Sequence, residues 1–142
     1  MKISDKLGKE FIIKLRDENF RNFKNQLNKA QETTLEEFQN RTKNPNIDPE
    51  LQKTRDSKME FLIGLNSEQS VQLEQLILSI IDNTNFLMLR EAEESQTDNQ
   101  GIGITFNGIP TSEFSQELLS GTLFGEYFSW LETHSELGRF EH

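Results

Sequence analysis

The chain is 142 residues long with no cysteine, a net charge of −9, 33% hydrophobic and 27% charged residues. This composition suits a single domain over 1–142 with a thin core, and excludes disulfides, thiolate catalysis and Cys-based zinc sites. No run approaches the roughly 18 apolar residues of a membrane span, so the expectation is a cytoplasmic protein, neither secreted nor membrane-embedded.

From about Lys9 to Arg41, the residues Phe20, Phe23, Leu27, Ala30, Thr34 and Phe38 recur at three- and four-residue steps. They draw one narrow apolar stripe along a charged helix. Thr33 and Thr34, followed by Glu36 and Glu37, have the pattern of a capping box that breaks and restarts this helix. The segment KNPNIDP (43–49) is a breaker. Asp48 then offers an N-cap and Pro49 a favoured first position, so a second helix should run from Pro49 to about Leu62 and stop near Gly64.

Ser67 is the next N-cap candidate, and the strongest helical pattern in the sequence reaches from there to about Glu94. At about 100° per residue, Leu73, Leu76, Ile77, Ile80, Ile81, Thr84, Leu87 and Met88 fall in an arc roughly 140° wide, with Leu78, Phe86 and Leu89 outside it. Apolar on more than one side, this helix belongs at the centre of a bundle. Asp82-Asn83-Thr84-Asn85 interrupts it with poor helix formers. Either Asp82 and Asn83 face solvent or bond locally and bend the helix, or Asp82 or Asn85 lines a polar pocket, where a buried carboxylate needs a partner.

Residues 91–100 are polar and aperiodic, the frayed end of that helix passing into a loop. The following GIGITFNGIP (101–110) resembles a phosphate loop only superficially. Gly101 and Gly103 fit the first two glycines of a dinucleotide fingerprint, but Phe106 stands at the third glycine position, and the lysine of a Walker loop is missing. Ile102, Ile104 and Phe106 alternate with Gly103 and Thr105, and Asn107-Gly108 favours a tight turn, so a small β-hairpin or extended segment near 102–110 is predicted, ended by Pro110.

SEFSQELLSG (112–121) reads as a short helix closed by Gly121. Thr122 then starts a last helix with Gly138 just past its end. On its wheel Leu123, Phe124, Tyr127, Phe128, Trp130, Leu131 and His134 share one face. Such a stripe is core in the first instance; in the other reading Tyr127, Trp130 and His134 grip a small molecule or a partner's side chain, with Glu126 at the rim. His142, at the end of the chain, receives no role.

Residues 1–58 hold 13 Lys or Arg against 10 Asp or Glu, whereas 59–142 hold only Arg90 and Arg139 against 14 acids. The basic first helix could lie against the acidic remainder, or the acids could await a basic partner. Nucleic acid is not an expected ligand, because the cations are interleaved with Asp17, Glu18, Glu32, Glu36 and Glu37. No serine-hydrolase or zinc-helix motif is present, and no metal or cofactor is expected.

The fold class expected is therefore mainly α, a bundle of four to five helices with the small hairpin. The function expected is non-catalytic: a protein-interaction or regulatory module, inhibitor- or antitoxin-like, with a basic protein partner, or with a second copy covering the Phe20, Phe23, Leu27, Phe38 stripe if nothing else in the chain does. The alternative is a small-molecule binder or enzyme around Tyr127, Trp130 and His134, with Asp82 and Asn85 as the second polar candidate.

Overall fold

The computed structural model describes residues 1–98 and 100–139, residues 97 and 98 by their backbone alone; His142 lies outside the described residues. Among these the chain is mainly α with one small antiparallel hairpin. The elements are α1 (Ile3–Glu10), a π-helical segment (Phe11–Glu18), α2 (Asn19–Gln31), α3 (Leu35–Gln39), α4 (Pro49–Ile63), α5 (Ser67–Asp98), β1 (Thr105–Phe106), β2 (Ile109–Pro110) and α6 (Leu123–His134). The α1, π and α2 stretches follow one another without a break, so the separate helical rods among the described residues number five, within the four to five expected. None is long and apolar enough to cross a membrane.

Helix boundaries follow local chemistry. The Thr34 hydroxyl accepts from the Glu37 amide at 3.2 Å while the Glu37 carboxylate accepts from the Thr34 amide at 3.4 Å, a complete capping box. Asp48 accepts from the Glu50 and Leu51 amides, and Pro49 opens α4. α5 is capped one residue earlier than expected, by Asn66, whose side chain accepts from the Gln69 amide at 2.8 Å. It also runs further, to Asp98, because the polar 91–98 stretch is anchored by buried Ala92 and Ser95. In the hairpin Thr105 pairs with Pro110 and Phe106 with Ile109. Asn107 and Gly108 carry φ of 53° and 80°, the two successive positive values of a type I′ turn.

Two expectations on the acidic half need correction. Residues 112–121 do not form an α-helix; they make two short 3₁₀ turns, Thr111–Glu113 and Ser115–Glu117. Phe114 and Leu118, both buried in the unit 1 core, leave helical backbone, with φ/ψ of −121°/13° and −78°/122°, and so end each turn after three residues. The last helix stops at His134 rather than just before Gly138, because Ser135 turns into extended backbone and is held there by Asp17.

The chain divides into two compact units: unit 1 comprises Met1–Phe20 with Ile77–His142, and unit 2 Arg21–Leu76. In unit 1, α6 and α1 enclose a core of Leu7, Phe11, Ile12, Leu89, Phe114, Leu118, Leu123, Tyr127, Trp130 and Leu131. Gly8 makes this approach close; a Cβ there would enter the Trp130 ring. In unit 2, Leu27, Ala30 and Phe38 are buried, and the Lys24 ammonium meets the buried Glu74 carboxylate. The apolar stripe of the first helix is thus covered within the chain: Phe20, Leu27 and Phe38 are at most 8% exposed and Phe23 is half-buried.

The buried edge of α5 differs from the arc drawn on the wheel. Within unit 1 it runs through Leu78, Ile81, Asn85, Leu89, Ala92 and Ser95, steps of three and four residues. Leu78 and Leu89, placed outside the predicted arc, are buried; Ile80 and Leu87, placed within it, are 52% and 47% exposed. Ile81 belongs to both faces, and the buried edge is rotated away from the arc because Asn85 joins the core, held by hydrogen bonds rather than by hydrophobicity.

Candidate functional site

The polar residues of unit 1 converge because of the π-helical segment. From Leu7 to Glu18 the buried positions are Leu7 and Gly8, then Phe11 and Ile12, then Arg16 and Asp17. The first step is four residues, as in an α-helix; the second is five. On an α-helix a residue five positions on lies about 140° away, but the wider i→i+5 ladder returns it to the same face. An Arg and an Asp adjacent in sequence are thereby both driven inward, each 0% exposed.

Arg16 donates from Nε to Asp82 Oδ1 at 2.6 Å and from Nη1 to Asp17 Oδ1 and Ser135 Oγ, both at 3.0 Å. Tyr127 donates its hydroxyl to the same Asp82 oxygen at 2.6 Å and accepts from Asn85 Nδ2 at 3.2 Å. Asn85 also reaches the Leu15 carbonyl at 3.4 Å. Asp17 accepts from the Ser135 hydroxyl at 2.9 Å and the Glu136 amide at 2.7 Å. The network therefore ties the π segment, α5, α6 and the chain after α6 at one point, and leaves each carboxylate matched by donors.

Its electrostatics follow from burial. Burial opposes the charge on Arg16, but the hydrogen bond and charge of Asp82, joined by the bond to Asp17, outweigh it and hold the guanidinium above its ordinary value. Burial, then donation to Asp82, holds the Tyr127 phenol well above its usual value, against the opposing bond from Asn85. Asp82 retains some solvent contact, its side chain being 22% exposed.

The structure thus brings three of the predicted residues together, Asp82, Asn85 and Tyr127, and scatters the other three. Trp130 is 3% exposed and lies against Gly8. Glu126 is 6% exposed and accepts from the Ser120 amide at 2.6 Å, fastening the turn before α6. His134 is half-buried at the end of α6, its Nε2 enclosed without a hydrogen-bond partner. With Tyr127 and Trp130 closed in the core, Tyr127, Trp130 and His134 share no open ligand surface. Sequence patterns did not mark Arg16, Asp17 or Ser135; the five-residue step from Phe11 and Ile12 is a signal for Arg16 and Asp17. Among the described residues no group of three or more His, Asp or Glu is placed to hold a metal ion.

No known protein family, curated protein or solved structure matches this chain. Its function is therefore read from these residues and the surfaces around them.

Proposed function

We propose that this chain acts by binding protein rather than by catalysis, through the outward face of α5 in unit 1, and that the face pairs with a second copy. The observation that carries the reading is an uncharged, exposed stripe. Ser79, Ile80, Asn83, Thr84 and Leu87 all face solvent, and from Ile77 to Leu89 the only ionisable residue is Asp82, which is engaged by Arg16 and Tyr127. The chain as a whole is 27% charged. Phe86 flanks the stripe, stacked edge-on to Phe124 at 5.4 Å and beside Phe128 at 6.1 Å, and Phe128 is itself 43% exposed. Exposed Ile80, Leu87 and Phe128 on a surface free of charge support an interaction site there.

Charge favours a like partner there. Unit 1 holds 7 Lys or Arg against 15 Asp or Glu, so two copies repel unless they meet where neither carries acid. An antiparallel, twofold pairing centred near Asn83 satisfies this, laying Leu87 of one copy over Ser79 of the other and letting the two Asn83 amides bond across the axis, as polar residues do when they fix helix register. Light scattering of the full chain at two concentrations tests it. Twice the chain mass, falling to the chain mass in Ile80→Glu, is expected; a strict monomer at both concentrations removes the reading.

The excess acid of unit 1 favours a second reading, an inhibitor-like hold on a basic protein through exposed Glu18, Glu91 and Glu113. Such binding weakens as salt rises; capture that is indifferent to salt would rule it out.

A further inference from the structure

Unit 2 carries a separate feature, independent of the α5 face. α4 spans 15 residues, yet none of them is fully buried. Leu51 and Phe61 are 46% and 60% exposed, while Met59 and Leu62 are half-buried. A helix held by so little apolar contact has an incomplete neighbour. Beside it, facing α2 and α3, lies an open groove of about 570 Å³, the size of a ligand site. Its apolar lining is Phe38, Met59 and Leu62; Lys29, Arg41, Arg55 and Lys58 supply cations, and Glu37 and Asp56 the only acids.

Both acids are already committed. Glu37 closes the Thr34 capping box. Asp56 accepts from Gln52 at 2.7 Å and pairs with Arg41 and, at 3.6 Å, with Lys43. The Gln52 bond first, and then Arg41 and Lys43 against the opposing effect of burial, hold its carboxyl below the usual value. Arg41 is committed too, since its guanidinium lies 3.7 Å over the Phe38 ring and donates to the Phe38 carbonyl at 2.6 Å. Lys29, Arg55 and Lys58 have no side-chain partner among the described residues. The groove therefore sets four cations, three of them without a side-chain partner, around an apolar lining against the two carboxylates of Glu37 and Asp56.

We propose that this groove binds an acidic amphipathic segment of a partner protein. An apolar side chain of the segment seats among Phe38, Met59 and Leu62, and its flanking Asp or Glu residues reach Lys29, Arg55 and Lys58, the arrangement of a helix laid in a groove. Complementary charge selects the segment and speeds its arrival, and its apolar face supplies the burial that α4 lacks.

A fluorescently labelled synthetic helix of Leu, Ala and Glu, titrated into the full chain and read by anisotropy, tests this, with the same helix carrying Lys for Glu as its counterpart. The Glu helix is expected to bind and to weaken at least tenfold in the Arg55→Glu, Lys58→Glu double variant; both positions are exposed, so folding is spared. Met59→Ser, which removes apolar lining without altering charge, is expected to weaken it as well. No binding of the Glu helix, equal binding of the Lys helix, equal binding of an RNA oligonucleotide, or indifference to the double variant would each overturn the proposal. Ile80→Glu is expected to leave the titration unchanged, so failure here is separable from failure of the α5 pairing.

Discussion

Replacing Asp82 by Ala leaves the fully buried Arg16 without its nearest acceptor and Tyr127 without the oxygen it donates to. Breaking a buried ion pair from one side costs about 3–5 kcal/mol. Two features place Asp82→Ala near the lower end: the Asp82 side chain is 22% exposed, and Asp17 still neutralises the guanidinium at 3.0 Å. The orphaned phenol adds about 1 kcal/mol or more. A loss of about 3–4 kcal/mol is thus expected, a large part of the ~5–15 kcal/mol that holds a domain together. Urea unfolding followed through Trp130, the only tryptophan, measures it. Glu94→Ala is the control, since Arg90 and Glu94 are 52% and 57% exposed and such pairs contribute under about 1 kcal/mol. Combining Asp82→Ala with Arg16→Met should cost less than the two single losses together by about 1–3 kcal/mol. A loss under 1 kcal/mol for Asp82→Ala, or strict additivity with Arg16→Met, would refute the network as a structural tie.

Three further outcomes are expected. Tyr127 is the only tyrosine, so its ionisation is read directly in the near ultraviolet; because its value is raised on folding, its stabilising effect is complete below the ordinary phenol value near 10 and is lost as pH rises through the folded value. Phenolate appearing at the ordinary pH in the native protein would contradict its burial against Asp82. Gly8→Ala gains helix propensity, up to ~1 kcal/mol, but drives a methyl into Trp130, and overpacking of that kind costs about 1–3 kcal/mol; a lower Tm is expected, and a higher one would contradict the close approach. If residues 1–142 form one domain, as proposed from length, the Trp130 signal of unit 1 and far-ultraviolet dichroism of the whole chain should give coincident unfolding curves; separate midpoints would contradict it.

How much of this was legible in the sequence depends on the range of the physics involved. The Thr34 and Asp48 caps and the Asn107-Gly108 turn are contacts within four residues, and each appears where its residues predict it. The 3₁₀ turns at 111–117 are not legible from cap and terminator signals, which say where a helix can form but not that Phe114 and Leu118 leave helical backbone to enter the core. Of the polar cluster, Asp82 and Asn85 stood out as misfits in an apolar helix, and Tyr127 as a member of an aromatic stripe. Arg16 and Asp17 did not, because two charges in a charged helix look solvated until a five-residue step turns them inward. The buried face of α5 turns on Asn85 in the same way, through distant hydrogen-bond partners. Once Asn85 is held inside by Tyr127 and the Leu15 carbonyl, Ile80 and Leu87 must point outward.

That outward face carries the central claim, and cross-linking tests it most directly. The chain has no cysteine, so Asn83→Cys introduces a single thiol near the proposed twofold axis, where the Cα atoms of paired copies would approach the ~4.4–6.8 Å that a disulfide spans. Mild oxidation at low protein concentration should convert this variant to a covalent dimer, whereas a thiol placed at exposed Glu132 on α6 should remain monomeric. Equal cross-linking at both positions, or none at residue 83 while the light-scattering mass is that of a dimer, would contradict pairing through α5.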